Sequence, residues 1–535
     1  MTKKLWTLVL CLLCSQLHAS TEVVIKSQKK NELKVTWKID KSEISTTKSK
    51  SQGPMVFSDV TLKGWSLTKT VGAPSLPFKS IILEALPKDL KASIDANGVF
   101  EMTDIAPTPA QKMPCRCDIV PWKFNIDFDQ ESYNKGLREH LFVEFLGYFK
   151  GRPLTRVRFS PFAYNNMSGL RFISDAKISI TSKNKIIKAT LSANDQNMII
   201  LSPDKFLSVL EPLIKRRQSE GYTVSVYSLD EIGRTFEDVK EFTHKLYKES
   251  PFSYSMIIGH EEIFPTEYVS TRFDDNTPSD MHYYTMDGSD DVIPDVLYSR
   301  ISVDSVSDLE NFISKTVEFE QRSWSNSNVS KQMIAIASDE GYDPTDVEYV
   351  RQMQQPLKEK FRWQSKEFLQ EKDNSTPTNI VNEFNQGAVW LNYIGHGSGF
   401  SWPSLYGEDF TTDHISLLKA GAVKPIVIDV ACQNGKFNNE NRMGESFIRA
   451  TNGRTPAGAV AYYGGSVDIS WDPPAIMAIG AGKALSENNN RRLIDVLWQG
   501  QLYLLENYDD RAGALENFVW YHLQGDPLLN LKNLR

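Results

Sequence analysis

Two apolar segments of the same design lie close together in the C-terminal half of the chain. The first, Ala388–Ile394, runs into a glycine and His396, and the second, Pro425–Val430, ends just before Cys432. Short runs of β-branched and aromatic residues that stop near glycines are typical of buried strands. The segment 413–420 between them is predicted to be a short helix. Such a crossover makes the two strands parallel, so the residues that follow them meet at one edge of a sheet.

An imidazole and a thiol at one sheet edge are the minimum equipment for thiolate catalysis, with His396 as the proton partner of Cys432. Gly395 and Gly397 let the backbone turn sharply and leave N–H groups near the imidazole free of side chains. We predict that the amides of Gly397 and Cys432 form the oxyanion hole that acyl transfer requires. Each residue alone also has a structural interpretation, because buried cysteines are commonly inert and single histidines commonly structural.

Both of these segments resemble, in order and in separation, those of the gingipain family of cysteine peptidases. The matching residues are 392–398, 431–435 and 444–447. The resemblance implies a caspase-like α/β catalytic domain of two sub-domains with doubly wound, mostly parallel sheets, preceded by a β-rich prodomain. It also implies an exported cysteine endopeptidase made as a zymogen, which cuts peptide bonds after Arg or Lys.

A third catalytic group should orient the imidazole, as in other triads. By resemblance this group is Glu340, with Asp339 as the alternative. Both follow the predicted strand Gln332–Ala337 and lie in the same predicted sub-domain as His396. A solvated loop carboxylate is the structural alternative for either residue.

The same alignment places Asp346 in the S1 pocket, where the family pairs a carboxylate with the cationic P1 side chain. Asp346 also begins a predicted helix over 346–361, and a carboxylate in the first turn of a helix has a purely structural use. Trp471 is a candidate wall of the pocket, against the aliphatic part of the P1 side chain. Packing in the core is the alternative for a single tryptophan.

The first residues have the pattern of a secretory signal peptide, predicted over 1–19: two lysines, the apolar run Leu5–Leu13 and a small-residue exit at Ala19. No segment is long and apolar enough to predict a membrane span. We therefore expect a secreted or periplasmic protein. Cys432 is the only cysteine after residue 117. An unpaired thiol in an oxidising compartment favours a functional role for it.

The sequence pattern divides the remaining chain into three parts. Residues 20–194 are predicted to be the β-rich prodomain, because short alternating segments are punctuated by prolines and glycines. Residues 195–328 and 329–535 are predicted to be the first and second α/β sub-domains, the second carrying His396 and Cys432. The polar segment 181–194 is the linker candidate, with its lysines as candidate processing sites or, equally, a solvated edge. Cys115 and Cys117 fall in the prodomain, far upstream of the predicted catalytic residues.

Thiol and imidazole chemistry requires no cofactor, and no zinc or nucleotide motif is present. The acidic loop 273–291 could hold a structural Ca²⁺, with solvated turns as the alternative. A net charge of −7 does not indicate the basic surface that binding of nucleic acid requires. The expected partners are protein or peptide substrates and the chain's own prodomain, acting as inhibitor. Two other functions stay open: a transpeptidase that uses the same acyl-enzyme, and a non-catalytic surface or adhesion module on a peptidase fold.

Overall fold

The structure is a computed structural model. It describes the following residues: 23–48, 56–118, 128–135, 139–165, 169–193, 195–288, 291–322, 331–341, 343–487 and 492–534. The predicted signal peptide, 1–19, lies outside the described residues.

The N-terminal part, residues 23–193, is built mainly of antiparallel strands. Its strands are β1 Val24–Lys29, β2 Glu32–Lys38, β3 Ile44–Lys48, β4 Ser58–Leu62, β5 Ser66–Leu67, β6 Pro77–Glu84, β7 Leu90–Met102, β8 Leu141–Phe149, β9 Arg152–Phe159, β10 Phe162–Asn165 and β11 Gly169–Ser182, with helix α1 at Gln130–Lys135.

Two larger sheets of this part pack face to face. In one sheet β2 and β7 both pair with β11, and in the other β6 and β8 both pair with β9. Trp37 of β2 stacks on Phe159 of β9, with ring centroids 5.9 Å apart, so aromatic side chains from both sheets fill the space between them. Burial of one face of each sheet stabilises the sandwich, as the alternating sequence predicts.

The C-terminal part, residues 195–534, alternates strands and helices. Its strands are β12 Asn197–Ser202, β13 Thr223–Ser228, β14 Tyr254–Ile258, β15 Glu267–Val269, β16 Thr277–Ser279, β17 Leu297–Ile301, β18 Gln332–Ala337, β19 Gln364–Leu369, β20 Trp390–Ile394, β21 Ser401–Trp402, β22 Phe410–Thr411, β23 Ile426–Val430, β24 Thr451–Asn452, β25 Thr455–Pro456, β26 Ala461–Gly465 and β27 Tyr521–Gln524. Its helices are α2 Glu211–Ser219, α3 Leu229–Ile232, α4 Phe236–Glu249, α5 Val306–Gln321, α6 Asp346–Phe361, α7 Pro377–Gln386, α8 Thr412–Ile415, α9 Met443–Arg449, α10 Asp472–Glu487, α11 Leu493–Asn507 and α12 Arg511–Trp520.

These elements form two doubly wound sheets. The first has the order β13-β12-β14-β17 and is parallel throughout; the second has the order β19-β18-β20-β23-β26-β27, and only β27 runs antiparallel to its neighbour. The central strands β20 and β23 are buried along their whole length, which explains their continuous apolar sequence. The predicted fold class, a β-rich region followed by a caspase-like α/β domain, is confirmed.

The helix predicted over 413–420 is wrong in extent, because α8 is a single turn that ends at Ile415 and gives way to turns. The long helix α6, in contrast, begins where its sequence predicts. Thr345 accepts a hydrogen bond from the Glu348 amide, and the Glu348 side chain accepts one from the Thr345 amide. This reciprocal capping box fixes the first turn of α6 and hence the position of Asp346.

One hydrophobic core extends across both α/β sheets and includes side chains of the N-terminal part, among them Leu146 and Phe149. A buried ion cluster ties the C-terminal residues to the first sheet, because Arg217 of α2 contacts both Glu320 and Asp526 within 3.0 Å. A fully buried arginine is tolerated because carboxylates pair with it on two sides.

The N-terminal part also holds the C-terminal part through a polar contact that we call the docking face. Arg156 of β9 donates to the carbonyl oxygens of Leu505, Tyr508 and Asp509 at 2.7–3.0 Å. Arg158, on the same strand, pairs with the Asp509 carboxylate at 2.6 Å. The docking face therefore fixes β9 against the chain that connects α11 to α12.

Candidate active site

His396 and Cys432 follow neighbouring parallel strands in matching register. Ile394 at the end of β20 pairs with Val430 at the end of β23. Each candidate residue lies two positions beyond its strand, so the two side chains emerge at the same edge of the sheet. Residues past the carboxyl ends of parallel strands are where sites form in doubly wound sheets.

The two loops are in direct contact. A Cβ added at Gly397 would lie 2.4 Å from the Cys432 carbonyl oxygen, so glycine is required for this approach. Asn434 joins the loops from below: its Oδ1 accepts from the Gly399 amide at 2.9 Å, and its Nδ2 donates to Asp429 at 3.0 Å. Asp429 is fully buried, and burial raises the pKa of its carboxyl to about 6. Sequence reasoning did not identify this Asn434–Asp429 support.

Glu340 lies beside the imidazole. It follows β18, which pairs with β20 on the side away from β23, and its Oε2 is 2.6 Å from His396 Nε2. Burial lowers the pKa of His396, but the hydrogen bond and charge of Glu340 outweigh burial and raise it overall. Asp339, the alternative acidic partner, instead accepts no contact from the imidazole among the described residues; its amide bonds to Gln370.

An arginine of the N-terminal part occupies the pocket that contains Asp346. The Arg116 guanidinium makes two parallel contacts with the Asp346 carboxylate, Nη1 to Oδ2 at 2.9 Å and Nη2 to Oδ1 at 3.0 Å. Both side chains are completely buried. Ser338 also donates to Asp346, at 2.7 Å, and holds the carboxylate in place. Paired N–H donors on one carboxylate are the strongest geometry for guanidinium recognition.

Trp471 forms the opposite wall of this pocket. Its ring lies 4.3 Å from the Arg116 guanidinium, and its carbonyl oxygen accepts from Nε and Nη2 of the same group at 3.1 and 2.9 Å. The ring edge also faces the His396 imidazole, with centroids 5.9 Å apart. Trp471 therefore combines a cation–π contact with main-chain recognition of the cation.

The main chain around Arg116 lies as an added strand beside residues 469–471. The Arg116 amide donates to the Ile469 carbonyl at 2.8 Å, and the Trp471 amide donates to the Pro114 carbonyl at 3.1 Å. The Arg116 carbonyl oxygen accepts from His396 Nδ1 at 2.5 Å. Strand addition of this kind is how many clefts hold extended peptides. The segment 114–117, which we call the inhibitory turn, thus lies where a substrate's main chain would lie.

Cys432 is buried beneath the inhibitory turn. Burial raises the pKa of its thiol far above the ordinary value, and the neighbouring Asp468 charge raises it further. A protonated thiol is a poor nucleophile. Within the described chain, neither the Gly397 amide nor the Cys432 amide donates to the Arg116 carbonyl, so the predicted oxyanion hole has no partner in this arrangement.

Two sequence profiles cover nearly the whole chain. Peptidase family C25 matches residues 191–532, and the C25 propeptide matches residues 15–206.

The chain belongs to peptidase family C25.

Several gingipains are similar to the chain along most of its length. Gingipain R2 of Porphyromonas gingivalis is 22% identical over 568 residues, which cover 96% of this chain and 74% of the relative. Gingipain R1 of the same species is 22% identical over 564 residues, covering 96% of this chain and 55% of the relative. A Lys-gingipain of that species is 22% identical over 363 residues, covering 62% and 20%.

Solved structures agree in fold. The crystal structure of the Arg specific cysteine proteinase gingipain R matches with a TM-score of 0.57 and 24% identity, over 64% of this chain and 80% of that chain. The complex of Porphyromonas gingivalis RgpB pro- and mature domains matches with a TM-score of 0.57 and 25% identity, over 63% and 80%. This C25 chain is a cysteine-type endopeptidase that carries a propeptide, and the resemblance to gingipains is confirmed.

Arg116 is the residue of the C25 peptidase site that sequence reasoning missed. In the sequence, Cys115 and Cys117 lie far upstream of the predicted catalytic residues; in the structure they flank Arg116 inside the cleft and form a disulfide with each other. The signal was present: a basic residue between two cysteines, in the propeptide of an enzyme expected to cut after basic residues. His260 also follows a strand, β14, but this strand belongs to the other sheet, and the imidazole contacts Asp304.

Two groups of acidic or sulfur side chains in this peptidase come close enough to share a cation. Asp287, Asp291 and Asp295 have carboxylate oxygens within 4.8 Å of one another, whereas Asp280, also in the predicted calcium loop, pairs with Arg300. The second group includes both sulfurs of the disulfide, which are not thiolates and do not ligate metals in that form. No helix within the described ranges has the length and apolar character needed to cross a membrane.

Proposed function

We propose that this chain is the exported zymogen of an arginine-preferring C25 endopeptidase, kept latent by its own prodomain. The observation that supports it most directly is Arg116, whose guanidinium pairs with Asp346 while its carbonyl contacts His396. The side chain is held as that of a P1 residue would be, while the carbonyl faces His396 instead of the oxyanion donors. The proposed S1 pocket is therefore Asp346 and Trp471, and the prodomain is a substrate-like inhibitor.

Arginine is favoured over lysine by the number of contacts. The guanidinium places two donors on Asp346 and two on the Trp471 carbonyl. A lysine ammonium is a point charge that cannot make paired parallel contacts, so it would leave acceptors of a buried pocket unpaired. We therefore propose a preference for Arg at P1, in place of the sequence-based expectation of cleavage after either Arg or Lys.

The proposed reaction uses only groups of this chain. After the inhibitory turn leaves, Cys432 gives its proton to His396 and attacks the P1 carbonyl carbon. The oxyanion is held by the Gly397 and Cys432 amides, and imidazolium returns its proton to the leaving amine. Glu340 orients the ring and stabilises its charged form. Water then hydrolyses the thioester.

Latency follows from three features of the closed site. The S1 pocket is filled, the Cys432 thiol is held protonated by burial, and the oxyanion donors receive no carbonyl. We further propose that the prodomain spans 20–194 and the α/β sub-domains 195–328 and 329–535. Export follows from the leader 1–19, and a structural Ca²⁺ would bind at Asp287, Asp291 and Asp295 rather than across the whole acidic loop.

The test is cleavage of matched fluorogenic peptides with Arg, Lys or Ala at P1. The enzyme is the chain after prodomain removal by an added protease, with Cys432→Ala treated identically. We expect cleavage after Arg, at least tenfold slower cleavage after Lys, and no cleavage by the variant. Cleavage confined to the Ala peptide would contradict the S1 assignment. Product analysis with an added amine would reveal transpeptidation, if it occurs.

A further inference from the structure

The inhibitory turn is closed by a disulfide that spans one residue and therefore two peptide bonds. Cys115 and Cys117 are joined, and Arg116 lies between them. If Arg116 is the P1 residue, the peptide bond that Cys432 would cleave is Arg116–Cys117. The disulfide then connects the P2 side chain, Cys115, with the P1′ side chain, Cys117.

We propose that this disulfide is a reducible latch on the zymogen: Arg116–Cys117 is a cleavage site for the chain's own Cys432, and the disulfide holds the two ends together until a thiol or phosphine reductant separates them. This inference rests on the function proposed above and adds the cleavage site and its chemical control.

Before the cut, the Arg116 carbonyl must turn from His396 to the Gly397 and Cys432 amides. From there the chemistry is balanced without any further reactant. Cys432 sulfur would form a thioester with the Arg116 carbonyl carbon, the bond to the Cys117 nitrogen would break, and that nitrogen would take the proton held by His396. The new amine is the amino group of Cys117, which stays bonded through its own side chain to Cys115. It can therefore attack the thioester and restore the peptide bond, releasing the Cys432 thiol.

The disulfide tether determines whether the thioester is hydrolysed or re-forms the peptide bond. Intramolecular reactants in good orientation reach effective molarities of about 10⁵ M or more, far above any free amine. Water must compete with an amine that cannot diffuse away, and a hydrolysed turn still leaves both ends in the cleft. Reduction consumes two electrons from the reductant, converts the disulfide to two thiols and frees the Cys117 end.

The position of the disulfide suits control from solution. Cys117 is exposed, whereas Cys115 is buried and Arg116 is held on both its side chain and its main chain. An incoming thiolate or phosphine therefore meets the Cys117 sulfur first, and exchange rates depend on such access. The part that reduction releases is the end that the cleft holds least.

The experiment uses full-length protein purified under oxidising conditions, as wild type, Cys115→Ser/Cys117→Ser and Cys432→Ala. Each is incubated with and without tris(2-carboxyethyl)phosphine. Hydrolysis of an Arg peptide and intact mass under non-reducing conditions are followed together. The double variant keeps Cys432, so it reports any effect of the phosphine on the catalytic thiol itself.

We expect the oxidised wild type to stay latent, and the phosphine to raise its activity at least tenfold while a new N-terminus appears at Cys117. The double variant should be active without phosphine and change less than twofold with it, and Cys432→Ala should remain uncut. Equal latency of wild type and double variant, or equal activation of both by phosphine, would overturn the latch.

Two further measurements distinguish a failure of the proposed latch from a failure of the proposed function. If the double variant does not fold, alkylation of Cys115 and Cys117 in the wild type, followed by mass, must rise in step with activity; activity that appears while both remain disulfide-bonded overturns the proposal. If wild type freed of its prodomain by an added protease cleaves no Arg peptide, the proposed function fails instead. Active enzyme without reductant control rejects only the latch.

Discussion

The prodomain places arginines against the catalytic domain at two places, and the two places differ in whether a substrate would need the same groups. In the inhibitory turn, Arg116 pairs with a side-chain carboxylate, that of Asp346. At the docking face, Arg156 donates to three main-chain carbonyls in the last turn of α11 and just after it, and Arg158 pairs with the Asp509 carboxylate. The turn occupies a pocket that a substrate must also use, whereas the docking face occupies a surface that the proposed reaction does not need.

The inhibitory turn therefore serves inhibition of the enzyme, whereas the docking face serves attachment of the prodomain. Contacts in the turn are shared between inhibitor and substrate, so any change there must alter latency and specificity together. Contacts at the docking face add only to the attachment of the prodomain. A substrate-like turn alone would be cut and lost; the docking face keeps it in place.

The largest expected effect is at Asp346. Asp346→Asn keeps a hydrogen-bond acceptor for Ser338 but removes the charge that pairs with the guanidinium, at a cost of about 3 kcal/mol. We expect kcat/KM for Arg peptides to fall on the order of 100-fold in the released enzyme, and zymogen latency to weaken in parallel. Peptide kinetics before and after prodomain removal measure both. A loss in only one would show that Arg116 and the substrate do not share the pocket.

A smaller effect is expected at the docking face. Arg156→Met preserves much of the side-chain volume but removes the hydrogen bonds to three carbonyls and the ion pair with Glu144, which should weaken prodomain attachment by about 2 kcal/mol. The urea concentration at which the cleaved prodomain separates, followed by size-exclusion chromatography, should fall. The ratio of Arg to Lys cleavage by the released enzyme should stay the same. A changed ratio would join the two regions that we treat as separate.

The pH response should arise at the catalytic site, from His396. The pKa of His396 is raised above 6.5 in the folded chain. Its contact with Glu340 therefore stabilises the fold fully below pH 6.5 and is lost as pH rises through the raised pKa. Glu340→Gln should lower that pKa, measured by NMR of the imidazole in Cys432→Ala protein.

Asp339→Asn is the matched control for this titration, because Asp339 lies next to Glu340 in the sequence. We expect it to leave the His396 titration where it is. The opposite pattern, a shift with Asp339→Asn and none with Glu340→Gln, would assign the orienting role to Asp339.

The smallest effect is expected at the rim of the docking face. Lys188 lies 3.5 Å from Glu506, but its side chain is 62% exposed. Glu506 is only 14% exposed but also accepts from the Ile82 amide. Because the Lys188 ammonium is mostly solvated, Lys188→Ala should change prodomain attachment by less than about 0.5 kcal/mol. The urea assay used for Arg156→Met measures it. An effect as large as that of Arg156→Met would mean that attachment depends on net charge rather than on buried contacts.

Much of the catalytic fold could be predicted because its signals are local. The predicted helix 346–361 has the bounds of α6, whose capping box is written in four consecutive residues. Helix α10 was not predicted. It begins with Asp472 and two prolines, which the first turn of a helix accepts, and it is buried on nearly all sides. A helix without a polar face shows no 3.6-residue period, so its sequence resembles a loop or a strand.

The candidate site was predictable only in part, and for the same reason. His396, Cys432, Glu340 and Asp346 each lie just beyond a predicted strand or at a helix start, where local pattern is informative. Arg116 is 230 residues from the carboxylate that it contacts. No period or spacing connects two such distant positions, and only the docking of one domain on the other brings them together.

Labelling of Cys432 in the uncut, full-length chain tests most directly whether Arg116 occupies the S1 pocket. The reagent is a peptidyl ketone electrophile with Arg at P1, and mass spectrometry identifies the modified residue in wild type and in Arg116→Ala. We predict no label on wild-type Cys432 and rapid label on Cys432 of the variant, because the pocket opens when the arginine side chain is removed. Equal labelling of Cys432 in both proteins would show that Arg116 does not occupy the pocket that recognises substrate.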